Sequence, residues 1–347
     1  LAELLTPDEV VRHMDTVREL SKPGQALAPG APTATVNNPR WWIDGDVTPA
    51  RRRLHTRLID EVRSATPDLH QDKKAIVLAG PPGAGKSTVL KGVLGDHRGE
   101  YLVIDADEFK RSLLHEAQAD GSYDDFLIPN EIRERQEAGE NFYPLELASL
   151  VHEESSYLAR ALRTNAIATG DNIVVDSVLS DMKDALALGR QLENAGYDVE
   201  VIDVEVPYEV SEARIRGRWK EAYEAALTGG DGLGGRWVPS EYARGVFDGP
   251  DGKSRSEAVA QNLAEQCPVV LRYRVFRTTA EQAAEPRTKP ALETDKTRRV
   301  HGAALTAAAS RQKTNPSFPQ AVGRSPGTPM TTRSSARPEQ VRGRERD

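Results

Sequence analysis

The sequence predicts an α/β fold in which a parallel sheet is sandwiched by helices, on three observations. From residue 75 onward, short and nearly continuous apolar runs alternate with amphipathic stretches, the pattern of parallel strands covered on both faces. The first of these runs leads directly into a glycine-rich turn and then a helix. The second and third runs end on aspartates, and right-handed crossovers bring all such strand ends to one edge of the sheet, where ligands bind.

The elements follow in order. Residues 7–20 read as an amphipathic helix, with Val10, Val11, Met14, Val17 and Leu20 at helical spacing. A Pro/Gly/Ala stretch over residues 23–32 reads as loop or linker, so residues 1–47 are expected to be an N-terminal helix and linker. Thr48-Pro49 marks a helix start, and Leu54, Leu58, Ile59 and Val62 make its apolar face. Strands are expected at 75–79, 101–105, 172–176, 199–206 and 269–276, with helices at about 86–95, 144–164, 181–195, 208–227 and 254–266. Two stretches break this rhythm. Residues 111–143 form a charge-rich insert, and residues 229–235 (Gly-Gly-Asp-Gly-Leu-Gly-Gly) are too glycine-rich for regular structure. Residues 48–280 thus read as one domain. Beyond about residue 280 apolar periodicity fades, and residues 281–347 read as a disordered basic tail rich in Pro, Ser and Arg.

Composition narrows the function classes. The 347-residue chain carries a formal charge of −7, which argues against a general nucleic-acid binder. The charge is uneven: residues 281–347 hold 13 Lys and Arg against 7 Asp and Glu, leaving the remainder acidic. Cys267 is the only cysteine, so no intrachain disulfide forms, and a reducing cytoplasm suits the chain. No apolar run has the length of a membrane span, and Glu3, Asp8 and Glu9 interrupt the apolar residues of the opening stretch.

The run Gly80-Pro81-Pro82-Gly83-Ala84-Gly85-Lys86-Ser87-Thr88, between an apolar strand and a helix, is the phosphate-cradling P-loop in its confirming context. Its glycines let several backbone N–H groups converge on one anion, and the helix adds its positive N-terminal end. Lys86 is expected to reach the β- and γ-phosphates of ATP, and the Ser87 hydroxyl to complete a Mg²⁺ shell. The fold class sharpens to a P-loop NTPase-type sheet with an inserted substrate and lid region.

The strand ending Ile104-Asp105-Ala106-Asp107 puts carboxylates on the ligand edge, to hold Mg²⁺, to orient an attacking hydroxyl, or simply to cap the next helix. Asp176 ends the third strand at the same edge. Glu153 and Glu154 cannot share one helix face, so at most one enters the site, and His152 reads as a packing residue. After the fourth strand, Arg214 and Arg218 share a helix face while Arg216 points elsewhere. Arg236, directly after the glycine run, reads as part of a lid closing over the triphosphate.

Taken in this order, the P-loop, the Asp-x-Asp-Glu-Phe-Lys strand end, His152-Glu153-Glu154-Ser155, the arginine helix after Val206-Pro207 and Gly235-Arg236-Trp237-Val238-Pro239 resemble the zeta-toxin family of P-loop kinases over about residues 72–277. The resemblance implies transfer of the γ-phosphate of ATP to a hydroxyl of a nucleotide-linked sugar, best known as UDP-N-acetylglucosamine, by a toxin restrained by a cognate antitoxin. It also implies roles: Lys86 as the P-loop lysine, Ser87 as the Mg²⁺ ligand and Asp107 as catalytic base. Glu154, with Glu153 as fallback, and Asp176 become substrate-contacting acids, and Arg218 and Arg236 phosphate clamps. The family usually carries a threonine and then an arginine after the third strand, whereas this chain reads Asp176-Ser177-Val178-Leu179-Ser180-Asp181. The acceptor therefore stays open between UDP-N-acetylglucosamine and the adenosine ribose of NAD, the substrate of another branch. A nucleotide-dependent switch without a small-molecule acceptor is the reading from a different class.

Overall fold

The N-terminal helix forms where its spacing predicts it. In the computed structural model, which describes residues 6–230, 232–285 and 288–308, α1 (Pro7–Leu20) is started by a capping box in which Thr6 and Glu9 satisfy each other's backbone N–H groups. It buries Val10, Val17 and Leu20, with His13 among them. The Pro/Gly/Ala stretch that follows is no free linker. Its backbone makes a turn every three residues, with Gln25, Ala28, Ala31 and Ala34 each donating to the carbonyl three residues back, and Ala28, Ala31 and Ala34 are buried. Prolines hide this order from a periodicity search, because a ladder of tight turns has neither helical nor strand spacing. A short hairpin of β1 (Trp42–Ile43) and β2 (Asp46–Val47) leads to α2 (Pro49–Ser64).

The sheet edge that matters is built next. β3 (Lys74–Ala79) runs through the P-loop into α3 (Lys86–Leu94), and β4 (Leu102–Asp105) passes without a loop into α4 (Ala106–Asp120). The charged insert is therefore largely helical: α4, a π-turn over Tyr123–Leu127, and α5 (Asn130–Glu137). Phe109, Leu113, Leu114 and Ala117 make a buried helical stripe in it, masked in the sequence by the charge around them. Pro144–Val151 is a 3₁₀ segment, and α6 (His152–Thr169) starts only after it.

Then come β5 (Ile173–Asp176), α7 (Met182–Ala195), β6 (Asp198–Glu205), α8 (Tyr208–Leu227), α9 (Ser240–Gly245), α10 (Arg255–Gln266), β7 (Val270–Arg277) and α11 (Ala280–Ala284). The strand order is β4-β5-β3-β6-β7, all parallel. Alternate residues of β3 feed two cores: Ile76 and Leu78 pack with α3, while Ala75, Val77 and Ala79 face the larger core on the other side.

The expected disordered tail needs correction. β8 (Ala291–Thr297) pairs antiparallel with β7, and β9 (Thr306–Ala307) with β8. This edge is polar and held by cross-strand ion pairs such as Arg272 to Asp295 at 2.8 Å, so it lacks the apolar alternation of inner strands. The rest of that expectation, residues 309–347, lies outside the described residues. Among the described residues no helix is long and apolar enough to cross a membrane.

Candidate active site

The β3–α3 turn is shaped by what presses on it. A Cβ at Gly80 (φ +132°) would overlap the Val204 carbonyl, and one at Gly83 would lie 2.9 Å from the Ser211 carbonyl oxygen. Only glycine lets the loop approach β6 and α8 this closely. From α8, the Ser211 hydroxyl donates to the Pro82 carbonyl (2.6 Å), and Arg214 donates to the carbonyls of Gly83 (3.0 Å) and Ala84 (3.3 Å). Arg214 thus braces the loop. Arg218, one turn on, is exposed beside the loop with no ion-pair partner among the described residues, while Arg216 pairs with Glu212 (3.0 Å). Lys86 folds back on its own loop, donating to the Gly80 carbonyl (3.0 Å) and standing 3.6 Å from Asp176.

Sheet register gathers the acids. Asp176 lies opposite Leu78 of β3 on one side and Asp105 of β4 on the other. Asp105 also caps α4, accepting from the Asp107 backbone N–H (2.9 Å), so the capping reading of this strand end holds. Burial first, and then the charge of Asp176, push the Asp105 carboxyl up to about 6, with Arg236 opposing. Burial also raises Asp176, against the pull of Lys86. The first turn of α4 puts Lys110 3.1 Å from Asp107, and burial brings its ammonium down to about 8. Arg236 forms an ion pair with Asp107 from the other side.

The loop that carries Arg236 is packed against the domain. Leu233, Trp237 and Val238 are buried, and Trp237 packs edge-on against Trp219 at 6.2 Å. A Cβ at Gly235 would overlap the Trp219 backbone, so only glycine lets the loop pack this closely. The anchored loop aims the guanidinium at Asp107.

Two cavities open on this cluster. One, of about 580 Å³, follows the P-loop from Pro81 to Thr88 and takes in Arg214 and Arg218. The other, of about 760 Å³, lies between residues 21–32 and the segment from Arg236 to Tyr242, with Ser149 and His152 on a third side. Pro82, Lys86, Asp105, Asp107, Asp176 and Arg236 line both.

Glu154 does not join them. It is fully buried, accepting from Arg51 Nε (2.6 Å), from a second Arg51 nitrogen (2.9 Å) and from His55 Nε2 (2.6 Å). Burial disfavours its charge, yet these hydrogen bonds outweigh that and hold the carboxyl at about 2. The reason is helical geometry: His152, two positions earlier and on the opposite side of α6, faces the cavity, so Glu154 faces α2. Glu153, the fallback, is exposed and lines neither cavity. Burial and the nearby charge of Lys110 lower the His152 pKa, leaving a neutral imidazole at the cavity wall. His152, Lys110 and the wall of residues 21–32 were missed as site elements. Only the spacing of Lys110, three residues after Asp107, carried any signal.

Known proteins complete the picture. The complex of AvrRxo1-ORF1 and AvrRxo1-ORF2 with sulphate ions shares the fold at 19% identity, covering 88% of this chain and 76% of that one with a TM-score of 0.50. The same pair with ATP is 18% identical (88% and 76% covered, TM-score 0.45). The PezAT chromosomal toxin–antitoxin system of the human pathogen Streptococcus pneumoniae is 15% identical (72% and 83% covered, TM-score 0.46). No curated protein matches the sequence. Residues 58–281 match the zeta toxin family, a span that holds every side chain shared by the two cavities. The chain belongs to the zeta toxin family.

Proposed function

We propose that the protein is an ATP-dependent small-molecule kinase that transfers the γ-phosphate to a hydroxyl of a nucleotide-linked acceptor. UDP-N-acetylglucosamine leads as acceptor, and the adenosine ribose of NAD is the alternative. The observation that carries this reading is the meeting of two cavities at one cluster of three carboxylates and two cations. A nucleotide switch needs only the first cavity, whereas a kinase needs both.

The residues present fit a triphosphate. The loop is pressed into a nest by β6 and α8, the N-terminus of α3 opens on it, and Arg218 is free to turn toward it. Mg²⁺ fits the Ser87 hydroxyl with a carboxylate of the Asp105–Asp176 pair, since this ion takes few protein ligands beside phosphate oxygens. When bound, it supplies charge neutralisation of the phosphates. Lys86 leaves the Gly80 carbonyl to reach the β- and γ-oxygens. Asp107 orients the acceptor hydroxyl and takes its proton as the new O–P bond forms and the β–γ bridge breaks to release ADP. Arg236, already beside Asp107, and Arg218 neutralise the equatorial oxygens, and Asp176 contacts the acceptor. Family membership supports a toxin restrained by an antitoxin.

Mass spectrometry of UDP-N-acetylglucosamine and NAD after incubation with ATP and Mg²⁺ tests the proposal. One of them gains a phosphate with the wild type and not with Lys86→Ala. Equal ATP turnover with and without either acceptor would turn the assignment to a switch. Growth arrest on expression, lost in Lys86→Ala, separates a toxin from a metabolic kinase.

A further inference from the structure

The wall of the larger cavity that faces Arg236–Tyr242 comes from residues 21–32, outside the span matched by the family. It is built, not draped. Leu27 donates to the Leu20 carbonyl (2.8 Å) at the end of α1, and the Ser149 hydroxyl donates to the Leu27 carbonyl (2.5 Å) from the adjoining wall. Asn37 Nδ2 donates to the Ala31 carbonyl (2.8 Å), closing the ladder of turns. Behind it, α1 is locked by buried His13, held between Glu140 (2.8 Å) and Glu146 (3.0 Å) and stacked on Tyr223 at 4.7 Å.

This strap gives the cavity a charge gradient. Every cation on the cavity lining, Lys86, Lys110 and Arg236, lies at the end shared with the P-loop. The strap contributes uncharged side chains to the lining, among them Gln25, Ala28, Pro29 and Gly30, and its one lysine, Lys22, is turned to Glu19 (2.5 Å). Trp237 and Val238 close the opposite side, where the Glu241 carboxylate also lines the cavity and no cation does beyond Arg236.

We propose that the strap is the acceptor-selecting element, receiving the uncharged, flat end of the acceptor while the anionic and hydroxyl-bearing part sits among the cations and Asp107. Flat apolar groups favour proline and tryptophan surfaces, and an anionic group there would be desolvated without a partner. The inference rests on the kinase reading for the position of the hydroxyl, but not for the binding of the acceptor.

Gly30 offers a clean test, because it lines the cavity with an ordinary φ and a Cβ there meets nothing within 4 Å. Gly30→Trp fills space, and Gln25→Glu, an isosteric change at an exposed position of the lining, adds negative charge at the end away from the cations. Calorimetric binding of UDP-N-acetylglucosamine and of NAD is measured in the wild type and both variants of the full chain, with ATP binding and melting temperature as controls. The expected result is a loss of about tenfold or more in affinity for the bound acceptor, with ATP affinity within about twofold. Unchanged acceptor binding in both variants, or binding of neither compound by the wild type, overturns the inference. Acceptor binding weakened by the strap variants, with no phosphoryl transfer in the wild type, would overturn the kinase reading and leave the strap's role standing.

Discussion

Replacing Glu154 by Gln separates a structural from a substrate-binding role for this residue. Gln copies the shape of the protonated acid, so it reports what the ionised form contributes. Holding the carboxyl at about 2 instead of 4.5 corresponds to about 3 kcal/mol in favour of the ionised form. Breaking a buried ion pair from one side independently costs about 3–5 kcal/mol. Both partners are almost fully buried, at 3% and 0% exposure, so solvent screening does not erode this. Because the folded pKa is depressed, the stabilisation is complete above the ordinary carboxylate range and is lost as pH falls from about 4.5 toward 2. With a urea slope of about 3 kcal/mol per molar, Glu154→Gln should lower the unfolding midpoint by about 1 M at pH 7. Its acid limb should also flatten relative to wild type. An unchanged midpoint together with a raised KM for the acceptor would refute the reasoning and return Glu154 to the substrate.

Other outcomes follow from the site. The logarithm of kcat/KM should fall below about pH 6, where Asp105 takes up a proton, and above about pH 8, where Lys110 loses one; Lys110→Met should remove the alkaline limb. Arg236→Ala should lower kcat by about 10²-fold or more if it neutralises the transferring phosphoryl group as proposed, whereas Arg216→Ala, which breaks only a half-exposed pair with Glu212, should leave the rate within about twofold. Steady-state phosphorylation of the acceptor checks both. Gly80→Ala should weaken ATP binding by about tenfold or more in a calorimetric titration, because its methyl would have to displace the Val204 carbonyl.

The sequence alone determined the sheet and its P-loop. The five parallel strands lie within a residue or two of their expected places, because short runs rich in apolar and β-branched residues between helices are recognised without knowing their partners. The P-loop was legible for the same local reason: glycines, lysine and serine act through their own backbone turn. What depended on a distant segment was not legible. The polar strand β8 takes its order from ion pairs with β7, and residues 21–32 take theirs from a ladder of turns docked through Leu20 and Ser149. Glu154 and His152 sit two positions apart on α6, and only the packing of α2 decides that the first meets Arg51 and the second the cavity. Arg236 is aimed at Asp107 across 129 positions by an anchored loop. Local propensity writes strands and phosphate loops into the chain, whereas the direction of a side chain toward a cavity is set by whichever face the tertiary packing leaves open.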